Sequence, residues 1–93
     1  MTDNKAIEIS YSDEKLRILV EEYITQQRDT FTLKGVCSYI LYWAMDDGNS
    51  KGIYDGFKMT EADNERVSRI LEKIVSEGRI AVVLESEYKK INE

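Results

Sequence analysis

Asp47, Asn49, Gly52 and Asp55 fall at the first, third, sixth and ninth positions of a calcium-binding loop. The match ends there. The fifth position is Lys51, and the twelfth, which must supply a bidentate carboxylate, is Lys58. Two ammonium groups inside a cation cage remove the charge balance that binding needs, so no metal is expected. The chain contains no histidine, and with it go the usual general base near neutral pH and the commonest transition-metal ligand. Cys37 has no second cysteine to pair with and lies on the apolar side of a predicted helix, which makes it a small buried hydrophobe. Neither a catalytic constellation nor a cofactor site is visible, and the chain reads as a non-catalytic binding module.

Length and composition bound what can hold such a module together. Ninety-three residues make one domain, spanning 1–93, with a single modest core. The apolar fraction of 42% and the charged fraction of 33% are those of an ordinary globular chain, and no window approaches the roughly 20 apolar residues that cross a bilayer. The start, MTDNKAIEIS, lacks a basic region followed by an apolar one, and together with the single cysteine this leads us to expect a cytoplasmic protein with no membrane association. There is no proline, which leaves five glycines to punctuate the chain.

Residues 1–12 read as an N-terminal arm or short strand, because Ile7, Ile9 and Tyr11 alternate with polar residues. The core is expected to run from 13 to 91. Leu16, Leu19, Val20, Tyr23, Ile24 and Gln27 follow the spacing of one helical face, which predicts helix 1 from about Asp13 to Gln27, capped by Ser10 or Ser12. A turn and a very short extended piece follow at Asp29, Thr30 and Phe31. Thr32 then caps helix 2, from about Leu33 to Met45, whose stripe is Leu33, Val36, Cys37, Ile40, Leu41 and Ala44. Tyr39, Tyr42, Trp43 and Met45 carry apolar character around its flanks. Tyr42 lies nearly opposite the stripe, so either the N-terminal strand or the loop covers it, or Tyr39, Tyr42 and Trp43 form a partner or dimer surface.

The stretch Asp46 to Met59 reads as a long connection in which Gly48, Gly52 and Gly56 allow positive φ, while Ile53, Tyr54 and Phe57 tack it onto the core. Thr60 followed by Asp63 has the pattern of a capping box and opens helix 3, with Val67, Ile70, Leu71, Ile74 and Val75 on its buried face and Gly78 as its stop. Beyond it, the β-branched run Arg79 to Leu84 and the segment Tyr88 to Ile91 are expected to pair antiparallel. The intervening Glu85, Ser86 and Glu87 include no glycine or asparagine, which disfavours a tight primed turn and favours a longer or bulged one. Either Ile80, Val82 and Leu84, or Ala81 and Val83, would face inward.

In element order, through the stop of helix 1 before Phe31-Thr32-Leu33, the run VSRILEKIVSEGRI and the strand pair after Gly78, the chain resembles winged helix-turn-helix proteins. The resemblance implies a mainly α fold with a small β-hairpin: a winged-helix-like three-helix core with a C-terminal wing. It further implies that helix 3 enters the major groove of double-stranded DNA. Arg66, Arg69 and Lys73 would then meet DNA, with Asn64 and Ser68 near the helix start as base readers, since Arg suits a guanine edge and Asn an adenine edge. Lys89 and Lys90 on the wing, with Lys58 and Arg79, would meet phosphates.

Charge opposes that reading, because a net charge of -5 is not the basic footprint of a strong DNA binder. The excess of acid over base is concentrated in the first half. Residues 1–47 hold five basic and nine acidic side chains, and residues 48–93 hold eight and nine. The sequence therefore leads to the expectation of a DNA-binding transcriptional regulator, acting as a homodimer. The alternative is an acidic winged helix that mediates protein-protein interaction or assembly without touching DNA.

Overall fold

The computed structural model describes residues 6–52 and 58–91. The chain runs β1 (Ile7–Ile9), α1 (Asp13–Gln26), β2 (Thr30–Thr32), α2 (Leu33–Asp46), β3 (Ser50–Gly52), α3 (Glu61–Ser76), β4 (Ile80–Leu84) and β5 (Glu87–Lys90). Each helix begins at a hydroxyl that accepts an otherwise unpaired backbone N–H of the first turn. Ser12 accepts from Lys15, Thr32 from Gly35 and Thr60 from Asp63, at 3.1, 3.0 and 3.3 Å. At the far end of α3, Gly78 takes a φ of +79°, its N–H donates to Val75 at 2.9 Å, and that of Arg79 donates back to Ile74. This reversal closes the helix, and an L side chain in that left-handed conformation costs about 1–2 kcal/mol, so glycine is the residue that fits.

The strands form two small sheets. In the larger, the order is β2-β5-β4, all antiparallel. Phe31 of β2 stands opposite Tyr88 of β5, and their rings stack at 5.5 Å. The hairpin is thus anchored by the segment between α1 and α2. In the smaller sheet β1 pairs antiparallel with β3, and Ile7 also bridges in parallel to Met59. Short stretches at both ends of the 46–59 connection are therefore in β pairing. The core gathers beneath these sheets from Leu16, Val20 and Ile24 of α1, Val36, Ile40 and Leu41 of α2, Val67, Leu71 and Ile74 of α3, and Ile7, Phe31, Met59, Ile80 and Tyr88.

Several expectations need correcting. The three helices and the C-terminal hairpin are present as expected, but the architecture is α+β, with strands in two small sheets where one hairpin was expected. Neither register proposed for the wing packs inward: Ile80 alone is buried, Ala81 is half-buried, and Val82, Val83 and Leu84 are exposed. The turn is at Glu85-Ser86, with Ser86 at a φ of +64°, and the ladder is irregular between Val82 and Leu84. A bulge is how a turn without glycine or asparagine recovers the strand twist. Gly48 has the expected positive φ, +78°. Ile53, Tyr54, Asp55, Gly56 and Phe57 lie outside the described residues. Among those described, no helix is long and apolar enough to cross a membrane.

Candidate interaction surfaces

The start of α3 is built around a carboxylate. Asp63 is 4% exposed. Its Oδ2 accepts the Ile9 N–H at 2.8 Å and the Thr60 hydroxyl at 3.0 Å, and its Oδ1 accepts from the Arg66 guanidinium at 2.8 Å. A capping-box carboxylate ordinarily turns back to the backbone N–H of the cap residue. Here the Thr60 N–H is taken by the Ile7 carbonyl of β1, so the acid is released to hold β1 instead.

Arg66 completes this arrangement. Its guanidinium donates to Asp63, to Asp13 at 2.9 Å and to the Tyr11 carbonyl at 2.7 Å, and its side chain is 27% exposed. Burial pulls its pKa down, but the hydrogen bonds to Asp13 and Asp63 outweigh that and raise it. The winged-helix resemblance implies an outward Arg66 that would meet DNA. The structure corrects the expected exposure: the cation is enclosed by its own chain, because two carboxylates and a carbonyl converge on it from α3, the start of α1 and the residue before its cap.

Other basic residues are also engaged. Arg79 pairs bidentately with Glu21, and Arg17 bonds both Glu21, at 3.0 Å, and Glu77, at 2.8 Å. The first cause of the lowered Glu21 pKa is its hydrogen bond to Arg79, and for Glu77 it is the bond to Arg17. Lys90 donates its ammonium to the Gln27 carbonyl at 2.8 Å. What remains outward on α3 is Arg69, loosely paired with Glu65 at 3.7 Å, and Lys73. On the sheet, Lys89 is exposed.

Arg66, Arg69 and Lys73 do come together, along a groove of about 630 Å³ between α1 and α3, but Asp13 and Glu14 line it too. Asn64 and Ser68 lie elsewhere, in a shallow hollow against Leu33 beside Glu61 and Glu65. The Asn64 carbonyl oxygen also accepts the Cys37 thiol at 3.3 Å. Lys89 and Lys90 line neither. The DNA-contact set that the resemblance implies is therefore dispersed, with Asp13 and Glu14 beside one part of it and Glu61 and Glu65 beside another.

The aromatic set behaves differently. From the Phe31–Tyr88 stack, ring contacts continue through Tyr23, at 6.0 Å from Phe31, to Tyr39 at 5.3 Å, Trp43 at 6.5 Å and Tyr42 at 6.2 Å. Tyr39 is half-buried and fastened by Glu22 and Gln26, at 3.3 and 3.2 Å. Trp43 is 39% exposed and Tyr42 62%. Among the described residues nothing covers Tyr42, which leaves the first of the two alternatives, burial by the arm or loop, without support there. Sequence reasoning grouped three of these rings by helical spacing; it missed Tyr23 and Phe31, whose contacts span α1, β2 and α2.

Among the described residues, no group of three or more acidic, cysteine or histidine side chains is placed to hold a metal. No family model matches this chain, and neither a curated protein nor a solved structure matches it.

Proposed function

We propose that this chain is a non-catalytic winged-helix module of the cytoplasm that docks a protein partner on the aromatic end of α2. The winged-helix part is supported by the order helix, short strand, two helices and hairpin, with the short strand bonded to the second strand of the hairpin. The lone buried thiol of Cys37 suits a reducing compartment. The observation that carries the partner reading is the line of ring contacts ending at exposed Tyr42. Trp43 is braced by Tyr39 from the core outward and Tyr42 meets its ring edge-on, and exposed large rings are the usual anchors of protein interfaces.

A second reading, DNA-binding transcriptional control, is favoured by the outward Arg69 and Lys73 on α3. It is the weaker one. Affinity for duplex comes mainly from phosphate neutralisation, and Arg66, Arg79 and Lys90 are spent on groups within the chain.

Two measurements separate these readings. The double variant Tyr42→Ala, Trp43→Ala should keep the wild-type circular dichroism yet lose the partner that the wild-type chain retains at stoichiometric yield from its own cell extract. Titration with random duplex at low salt should show no shift at tens of micromolar, roughly the range of ordinary non-specific binding. A shift that disappears at moderate salt and in Arg69→Ala, Lys73→Ala would replace the protein reading with the DNA one.

A further inference from the structure

The exposed rings stand at the negative end of α2. A helix ends in unpaired carbonyls, and a basic side chain in its last turn ordinarily offsets their partial negative charge. The last turn of α2 has none, its final residue is Asp46 and its cap is Asp47. Asp46 is exposed and lies four positions beyond Tyr42 and three beyond Trp43, so it neighbours both rings on the helix surface. Glu22 of α1, also exposed, accepts the Tyr39 hydroxyl at 3.3 Å. Asp47 is bonded to the Tyr11 hydroxyl and the Asn49 amide, neutral donors that leave its charge in place. Lys15 of α1, the cation that acts on Asp47, stands over the Tyr11 ring at 5.8 Å. The faces of the aromatic rings are themselves electron-rich, and add to the negative potential of the carboxylates and the helix end.

We propose that the partner presents a basic segment to this end of α2, an arginine or lysine lying against Tyr42 and Trp43 while its neighbouring cations meet Glu22 and Asp46. This rests on the protein-docking reading and names the chemistry of the partner. Charge complementarity selects the occupant. A cation gains from the rings, the carboxylates and the helix end together, and the planar guanidinium of arginine also stacks on an aromatic face. A second copy docking through the same patch would bring the same acids to it, and nucleic acid would bring phosphates, so both are opposed here. Residues 1–47, which contain α1 and α2, hold five basic and nine acidic side chains, and the field of the whole chain, at a net charge of -5, favours the same encounter.

Trp43 is the single tryptophan of the chain, so its fluorescence reports on the patch directly. The full chain is titrated with a blocked hexapeptide of alternating arginine and glycine, and with the same peptide carrying citrulline, a neutral isostere, in place of arginine. The arginine peptide should change Trp43 emission saturably, and the citrulline peptide should bind about tenfold more weakly or not at all. Glu22→Gln, Asp46→Asn keeps the rings and an acceptor for the Tyr39 hydroxyl, and should weaken binding by about three- to tenfold. Tyr42→Ala should weaken it by a similar factor. Glu61→Gln, Glu65→Gln removes the same charge from the hollow beside Leu33, at the other end of α2, and should change it by less than about twofold, which separates a local site from attraction to net charge. Equal binding of the citrulline peptide, equal losses in the two charge variants, or an emission unchanged up to about 10 mM arginine peptide would overturn the proposal. The extract measurement keeps this result apart from the docking reading. A partner lost in Tyr42→Ala, Trp43→Ala but retained in Glu22→Gln, Asp46→Asn overturns the basic class and leaves ring docking standing, whereas one retained in both overturns the two together.

Discussion

Asp63 and Arg66, three residues apart on α3, form an ion pair of 2.8 Å whose carboxylate is almost wholly buried. The pair joins three parts of the chain, because Asp63 also holds the Ile9 N–H of β1 and Arg66 the Tyr11 carbonyl and Asp13. Removing one partner leaves a buried charge uncompensated, which costs more than the net worth of the intact pair. Arg66→Ala is therefore expected to lower stability by about 2–4 kcal/mol, a range discounted for the partial exposure of the arginine. Arg69→Ala, on an exposed side chain, should change it by less than about 0.5 kcal/mol. Urea midpoints of the two variants decide this, and equal midpoints would remove the structural role assigned to Arg66.

Gly35 sits in the first turn of α2 against α1. A β-carbon there would come within 2.3 Å of the Tyr23 hydroxyl oxygen. Alanine in a helix is favoured over glycine by about 0.5–1 kcal/mol, but the overlap should outweigh it, so Gly35→Ala is expected to destabilise by about 1–2 kcal/mol. Adding Tyr23→Phe removes the overlapping oxygen and should recover most of the loss. Thermal melts of the single and double variants read the difference; a double variant no better than Gly35→Ala would place the strain elsewhere.

Acid should unfold the protein through its paired carboxylates. Glu21 is held below the usual carboxylate range first by Arg79, Glu77 by Arg17, and Asp47 by the Tyr11 hydroxyl, which donates at 2.6 Å. For a lowered pKa the folded state binds fewer protons than the unfolded one. The contribution is whole above the unfolded pKa, near 4.5 for glutamate and 3.8 for aspartate, and is lost as pH falls through the lower folded values. Tyr11 works at the other end: burial first, then Asp47, raises its pKa, so that contribution is lost as pH climbs above 10. Urea midpoints between pH 2 and 6 should fall more steeply for the wild type than for Glu21→Gln. Parallel curves would contradict the ionic contribution of Glu21.

Cys37 should be chemically quiet in the folded protein. Burial pushes its thiol up to about 11, and the side chain donates to Asn64. At pH 7.5 an aromatic disulfide reagent should modify it far more slowly in buffer than in urea. Equal rates in the two solvents would mean that α2 and α3 open readily at this contact.

Secondary structure was legible in this chain wherever the signal is local. The caps at Ser12, Thr32 and Thr60, the helix boundaries within one or two residues, and the glycine stop at Gly78 follow from side chains acting on backbone groups a few positions away. The turn after Leu84 did not: a longer or bulged loop was expected, and Leu84 pairs with Glu87 across the two residues Glu85 and Ser86, the irregularity lying inside the strand between Val82 and Leu84. The short strand at Ile7–Ile9 showed in its alternation, but its partners, β3 and Met59, did not: three-residue strands carry almost no pattern, and pairing is decided by distant chain.

By itself, then, the sequence determined three capped amphipathic helices, a hairpin after the last of them, and the absence of histidine-based chemistry. Tertiary structure alone decided which charges and rings are left exposed. Arg66 and Arg69 share a residue type and a helix, yet one is enclosed by Asp13, Asp63 and the Tyr11 carbonyl and the other is exposed, because only one of them faces the incoming N-terminal segment. Tyr39 and Tyr42 divide in the same way, the first fastened by Glu22 of α1 and the second left open. Helical periodicity assigns a residue to a face; what packs on that face is set by contacts such as Tyr39 with Glu22, 17 positions away, and Arg66 with Asp13, 53 positions away, which no local spacing records.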